Sequence, residues 1–314
     1  IVGKSPEIKR LRNDIAQAAK VMEDVLVVGE TGTGKELVSR AIHNQSKRKD
    51  GPFITINCGA LDEGLLMDTL FGHVKGAYTE AKQPRKGAFL AAEGGTLMLD
   101  EIGNATLRVQ QALLRALSDR CIHPLGSDEF IKFDTRVIAA TNADLQEEVH
   151  RGTFREDLYF RLAVITIKTP PLRDHKRDIP YMTVAFLKEG LAKAGEQRDI
   201  PDISRGALSK MMHYHWPGNV RELENAIERA VNVCGGQELM PCDFPSAMLE
   251  HEAVSGPGRK NGWLWAQETE TIRKAIRETN GNLRQAAILL GISRSTLYLK
   301  IIQPEPRGAS RLLP

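Results

Sequence analysis

The sequence predicts an α/β protein with a mostly parallel sheet, then a smaller helical unit and a compact C-terminal helical unit. Three observations carry this: short β-rich runs alternate with helical periodicity as far as about residue 170; a glycine-rich loop directly follows the first run; and Thr169-Pro170-Pro171-Leu172 ends the alternation, after which the patterns are helical. Strands that alternate with helices are joined by crossovers, which make neighbouring strands parallel and cover both faces of the sheet.

The first strand, Val25–Val28, runs into Gly29-Glu30-Thr31-Gly32-Thr33-Gly34-Lys35-Glu36, which meets the GxxxxGK spacing in full. Its glycines let backbone N–H groups turn inward as an anion nest, the following helix N-terminus adds partial positive charge, and Lys35 reaches the β- and γ-phosphates of a bound triphosphate. The eighth position, usually a Ser or Thr that ligates magnesium, is Glu36. A second strand covers Phe53–Asn57 and a third Thr96–Leu99, leading into Asp100-Glu101. Asp100 is suited to hold Mg²⁺ and Glu101 to orient and deprotonate an attacking water. Arg136–Ala140 and Val164–Ile167 complete the set. A glycine-rich loop alone can be a tight turn and an Asp-Glu pair a solvated strand end; each preceded by a strand, and in this order, they predict a triphosphate site.

Helices are expected over Ile179–Ala194, Ser204–Tyr214 and Val220–Cys234, with Trp216-Pro217-Gly218-Asn219 turning the chain before the last and Asn219 as its N-cap. HEAVSGPGRKNG, residues 251–262, is polar and glycine-rich and reads as a linker. The expected domains are therefore 1–172 (nucleotide-binding α/β), 173–250 (helical lid) and, past the linker, 263–314.

That last unit has its own logic. Glu268–Glu278 and Leu283–Leu290 are helical, Gly291 takes a tight turn, and Ser293 caps a third helix that carries Arg294, Ser295, Thr296, Tyr298 and Lys300 outward, with Ile292, Leu297 and Ile301 inward. From residue 270 onward eight basic residues, Arg284 among them, face three acidic ones. This helix-turn-helix with a local basic patch points to double-stranded DNA, although the net charge of the whole chain is only +3. The alternative is a small bundle used for dimerisation.

Composition bounds the rest. With 314 residues and 41% apolar content the chain can bury a large core in two or three domains. No apolar run approaches membrane-spanning length and the start has no signal-peptide pattern, so a soluble, cytoplasmic protein is expected. The lack of an initiator Met suggests a fragment. Cys58, Cys121, Cys234 and Cys242 show no CxxC spacing, which predicts neither a zinc site nor a disulfide framework.

Several long motifs in one order carry a family. GETGTGKE, Leu70-Phe71-Gly72-His73-Val74-Lys75-Gly76-Ala77-Tyr78-Thr79-Glu80-Ala81, GGTLMLDEI, Phe154-Arg155-Glu156-Asp157-Leu158-Tyr159-Phe160-Arg161-Leu162 and Trp216-Pro217-Gly218-Asn219-Val220-Arg221-Glu222-Leu223 closely resemble the AAA+ domain of sigma-54-dependent transcriptional activators, which work in two-component systems. The C-terminal unit is similar to a Fis-like helix-turn-helix. The resemblance implies an ATPase that uses ATP and Mg²⁺ in a hexameric or heptameric ring to remodel sigma-54 RNA polymerase from upstream DNA, without contact to a membrane.

It also implies residue roles. Lys35 and Asp100 bind ATP-Mg²⁺, with Ile1 and Val2 also placed at the nucleotide; Glu101 activates water; Asn57 is the switch residue able to hold Glu101 out of line. Asn142 is the first sensor and Arg221 the second, while Arg155 and Arg161 are arginine fingers offered to a neighbouring subunit. The polymerase-contacting loop, usually GAFTGA, reads GAYTEA over residues 76–81, so Glu80 stands where the family has a flexible glycine. That substitution keeps open a DNA-binding AAA+ regulator that no longer engages sigma-54. A AAA+ unfoldase or helicase loader is a remoter alternative, against which the helix-turn-helix and the LFGHVKGAYTEA insertion both count. Gln303-Pro304 stops the recognition helix and leaves an irregular tail.

Overall fold

A computed structural model describes residues 1–77, 81–193, 201–233, 238–245, 248, 279, 285, 289 and 290. The loop tip Tyr78-Thr79-Glu80 and the expected DNA-reading residues Arg284, Ser293, Arg294, Ser295, Thr296, Tyr298 and Lys300 lie outside the described residues. The chain forms two compact units, one of residues 1–200 with 211–231 and one of 201–210 with 232–314.

In the first unit, five strands make one parallel sheet: β1 (Val25–Val28), β2 (Phe53–Asn57), β3 (Thr96–Asp100), β4 (Arg136–Thr141) and β5 (Ile165–Lys168), in the spatial order β2-β3-β4-β1-β5. The central strands β1, β3 and β4 are the most apolar and buried, as strands covered on both faces require, whereas the edge strands β2 and β5 expose Thr55, Thr166 and Lys168. Alternate residues serve opposite cores. Val25 and Val27 pack with Met98, Ile138 and Ile167 under α1 (Pro6–Lys20) and α2 (Lys35–Gln45). Leu26, Leu97, Leu99 and Val137 face the other side, with residues of α3 (Glu63–Phe71), α4 (Leu107–Asp119), α5 (Leu145–His150) and α6 (Glu156–Leu162). Ser5 caps α1, its hydroxyl accepting from Ile8 N, with Pro6 in the first turn.

Beyond the sheet come α7 (Ile179–Lys193), α8 (Arg205–His213) and α9 (Asn219–Val233), each within two residues of its expected bounds. In the second unit, Asp202–Ile203 pairs in parallel with Glu238–Leu239.

The start of α9 corrects the expectation for Asn219. Its backbone is left-handed (φ 54°) and it is fully buried, so its side chain does not cap its own helix. Instead Oδ1 accepts from Leu172 N at 2.9 Å, while Nδ2 donates to Thr31 O at 3.0 Å and to Glu30 Oε2 at 3.2 Å. The helix end is served by Glu222, whose Oε2 accepts from Gly218 N at 2.8 Å. Arg221 N also donates to Gly32 O at 3.2 Å. Gly32 (φ 79°) is required here, because a Cβ would lie 2.2 Å from Gly218 O. The turn before α9 is thus seated directly on the glycine-rich loop, and Glu30 is gripped from two sides, by Asn219 and by Arg173, whose Nη1 is 2.7 Å from Glu30 Oε2.

At the opposite end of the sheet, Asp24 is buried and receives Val137 N at 3.0 Å, Arg120 Nη2 at 3.0 Å and Arg161 Nη1 at 3.2 Å. It also compensates Arg136, a 1%-exposed guanidinium at the start of β4 that donates to Glu23 O and Ala18 O.

Two predictions follow from these contacts. Asp24→Ala leaves the buried Arg136 charge without its compensating carboxylate and should cost about 3 kcal/mol; a urea-melt midpoint within error of wild type would contradict it. The hydrogen bonds from Arg173 and then Asn219 hold the Glu30 carboxyl at about 2, below its ordinary 4.5. A depressed carboxyl stabilises the fold fully above its unfolded value, and this contribution disappears as pH falls from about 4.5 towards about 2. Arg173→Met should move the Glu30 midpoint up, which ¹³C carboxyl NMR titration reads directly.

Candidate nucleotide site

The glycine-rich loop opens at the carboxyl end of β1, where β1 is flanked by β4 and β5, and parallel sheets place ligands in such crevices beyond their strand ends. Gly29 N donates to Thr141 O at 3.2 Å, Thr33 Oγ1 lies 2.7 Å from Thr169 Oγ1, and Val38 N donates to Gly34 O as α2 begins. The loop is thus pinned to β4, to the end of β5 and to the start of α9, and within itself by Thr33 Oγ1, which donates to Glu30 O at 2.7 Å. Lys35 Nζ donates to Gly29 O at 2.8 Å and Glu30 O at 3.1 Å, and burial lowers its pKa.

Asp100 ends β3 and is raised by burial, with Lys35 opposing the shift. Here the residues fit a magnesium triphosphate in part: an amine and a half-buried carboxylate stand close enough to influence each other beside an anion nest. Glu36 is near enough for its charge to help raise Asp100, but it is bonded elsewhere. Its carboxylate turns outward to Arg40 at 3.1 Å and is 54% exposed, so the ligand usually offered at that position is missing and Asp100 remains.

Glu101 follows with a left-handed backbone (φ 53°), a strained conformation for a non-glycine residue, as functional sites often show. Its Oε2 accepts from Asn104 Nδ2 at 3.3 Å. Asn57, the expected switch residue, is Asp100's register partner in the sheet, but its Oδ1 accepts from Gly59 N at 2.7 Å. Asn104 is therefore the amide on Glu101, and sequence reading missed it; the signal was an Asn one helical turn past the acidic pair. Cys58 lies beside both carboxylates, and burial pushes its thiol up to about 12, which keeps it protonated.

Asn142, just past β4, donates from Nδ2 to Thr31 Oγ1 at 3.3 Å, which ties the expected first sensor to the loop. Arg221 has its backbone on Gly32, and its charge helps lower the Lys35 pKa. Ile1 and Val2 are 44% and 41% exposed, and Arg12 donates to Ile1 O. The two arginines expected as fingers differ in their surroundings. The Arg155 guanidinium pairs with Asp157, two residues on, with Nε and Nη2 at 3.0 and 2.8 Å from its carboxylate oxygens, while its backbone N donates to Gln110 Oε1 at 2.8 Å. Arg161 is anchored inward, on Leu117 O and Asp24. Neither touches the phosphate loop of its own chain.

A cavity of about 970 Å³ lies against the edge strand β5; it meets the loop at Gly29 and Glu30, and neither Lys35 nor Asp100 lines it. Among the described residues no cluster of His, Cys, Asp or Glu is arranged to hold a metal by itself, and no helix is long and apolar enough to cross a membrane.

The loop over 76–81 stands on a two-residue antiparallel pair, Gly72–His73 with Arg85–Lys86, and Gly76 N donates to Ala81 O across its neck at 2.9 Å. A second loop, 123–130, is laced to its base, with Leu125 N on Gly72 O at 2.8 Å and Val74 N on Leu125 O at 3.1 Å.

Residues 1–168 match the sigma-54 interaction domain, 173–261 the AAA+ ATPase lid domain, and 264–303 the bacterial regulatory protein, Fis family. The chain is 44% identical over 301 residues to Transcriptional regulatory protein ZraR of Escherichia coli (strain K12), spanning 96% of this chain and 68% of that protein. Against Regulatory protein AtoC of the same organism it is 43% identical over 309 residues, 96% and 67% of the two chains. Of solved structures, NtrX from Brucella abortus in complex with ADP aligns with a TM-score of 0.74 at 30% identity over 96% of this chain and 69% of that one. These matches exclude the unfoldase and helicase-loader alternatives. A AAA+ P-loop domain of the ATPase type, its lid and a Fis-type DNA-binding unit follow one another here, and the chain belongs to the family of sigma-54-dependent transcriptional activators.

Proposed function

We propose that this chain hydrolyses ATP in a ring of its own copies, hexameric or heptameric, and uses the cycle to press the 76–81 loop against sigma-54 RNA polymerase in the cytoplasm while residues 263–314 hold upstream double-stranded DNA. The observation that carries this reading is the meeting of Lys35, Asp100, Glu101 and Asn142 at one end of the sheet, with the Arg155 guanidinium paired to Asp157.

Bound ATP with Mg²⁺ supplies the transferable phosphoryl group and the cation that neutralises its charge. Lys35 and the loop N–H groups bind its phosphates, and Asp100 holds the cation. Glu101 takes the proton of the attacking water on a carboxylate that Asn104 orients, and Asn142 senses the phosphate end through Thr31. An exposed guanidinium that only a neighbouring Asp retains is free to exchange that partner for a phosphoryl oxygen of the next subunit, which favours Arg155 as the finger. Arg161, committed to Asp24, then positions α6 from within. Glu80 is the specific feature that favours a second reading, in which the loop has lost its grip on sigma-54.

If the site is shared, Arg155→Ala should lower turnover about a thousandfold, and mixing it with Lys35→Ala should restore part of the ATPase through interfaces that pair an intact loop with an intact finger. A mixture no more active than the sum of its components rules out the shared site. For the polymerase contact, Thr79→Ala should abolish ATP-dependent open-complex formation and spare ATPase. Wild type that hydrolyses ATP and binds DNA yet forms no open complex, while Glu80→Gly does, decides for the second reading.

A further inference from the structure

One buried carboxylate holds both arms of the 76–81 loop. Asp68 lies in the last turn of α3 with its side chain 7% exposed. Its Oδ1 meets His73 Nδ1 at 2.5 Å, and its Oδ2 accepts from Arg85 Nη1 at 2.7 Å. His73 begins the loop and Arg85 closes it, as register partners in the short pair beneath it. The other ring nitrogen, His73 Nε2, faces Gln83 O on the returning arm at 2.8 Å, so the imidazole joins α3 to one arm and that arm to the other. A carboxylate removed from water and hydrogen-bonded by two side chains has a narrow choice of geometry, because any displacement strands a buried polar atom.

The other end of α3 lies against the hydrolytic residues. Asp62 caps the helix by accepting from Leu65 N, and Glu63 Oε2 accepts from Thr106 Oγ1 at 2.7 Å, two residues beyond Asn104. In the connector ahead of them, Gly59 is packed so closely that a Cβ there would lie 2.6 Å from Glu101 Oε2 and 2.7 Å from Asn104 Nδ2. A nine-residue helix therefore has one end in contact with the residues around Glu101 and the other fastened to both arms of the loop.

We propose that Asp68, His73 and Arg85 form a positioning clasp that makes the 76–81 loop follow α3 as a unit, so that changes around Glu101 reach the loop through the helix. The inference rests on the reading that hydrolysis at Glu101 drives this loop. Without the clasp, α3 keeps its backbone packing on the returning arm, where Gly87 lies against Leu70 and Phe71, but loses the side-chain grip on His73 and Arg85 at the loop's two arms.

Lys75 and Lys82 flank the tip and are exposed, so trypsin reads the loop's position in the full chain without polymerase. In wild type, cleavage at these lysines should differ between ADP and ADP–aluminium fluoride. Asp68→Ala should keep the ATPase and lose that difference, and Arg85→Gln, on the half-exposed side of the clasp, should do the same with less risk to folding. Variants that retain the nucleotide-dependent difference overturn the clasp and leave the hydrolytic reading intact. A wild-type loop indifferent to nucleotide overturns both. Loss of ATPase in both variants overturns the clasp as well, since it places these residues in folding or hydrolysis.

Discussion

The glycine-rich loop is held partly by its own Thr33 and Lys35, which bond its carbonyls, and partly by fastenings that converge on it from the rest of the molecule. Thr141 fastens Gly29, Thr169 fastens Thr33, and Asn219 and Arg173 share Glu30. The fastenings come from the end of β4, the segment after β5 and the start of α9, so strands, connector and lid helix must all be folded before the nest of N–H groups exists. This is why Asn219 tolerates a left-handed backbone: its three side-chain hydrogen bonds to the loop and to Leu172 offset a strain that an isolated turn would release.

Charge is distributed along the sheet with the same economy. At the carboxyl ends of the strands Lys35 and Asp100 are both half removed from water, and each opposes the shift that burial imposes on the other. Such a pair favours a ligand that carries its own negative charges and brings its own cation. At the amino ends, Asp24 gathers Arg120 and Arg161 and compensates Arg136. Neutralisation there keeps α4, α6 and β4 in register, and Arg161 belongs to this framework.

The outward-reaching loop is built differently from the site it answers to. Its base is a two-residue pair laced to the 123–130 loop, and among the described residues Gly76 N donates to Ala81 O across its neck. An element with so few contacts of its own takes its position from what grips it. The grip is concentrated in Asp68, at the far end of a helix that begins beside Glu101.

Sequence alone determined the fold class, the five strands, the order of the motifs and the place of Lys35, Asp100, Glu101 and Asn142, because apolar runs covered on both faces and a glycine spacing made for phosphate are local properties of the chain. It also located the 76–81 loop and its departure from the family at Glu80. Tertiary structure decided the partners: that Asn104 and not Asn57 meets Glu101, that Asn219 serves the loop and not its own helix, that Glu36 turns to solvent, and that Arg155 and Arg161, six residues apart in one motif, face different surroundings. A side chain's hydrogen-bond partner is set by which segments converge on it in space. Asp24 and Arg161 are 137 positions apart, and no periodicity along the chain records that they touch.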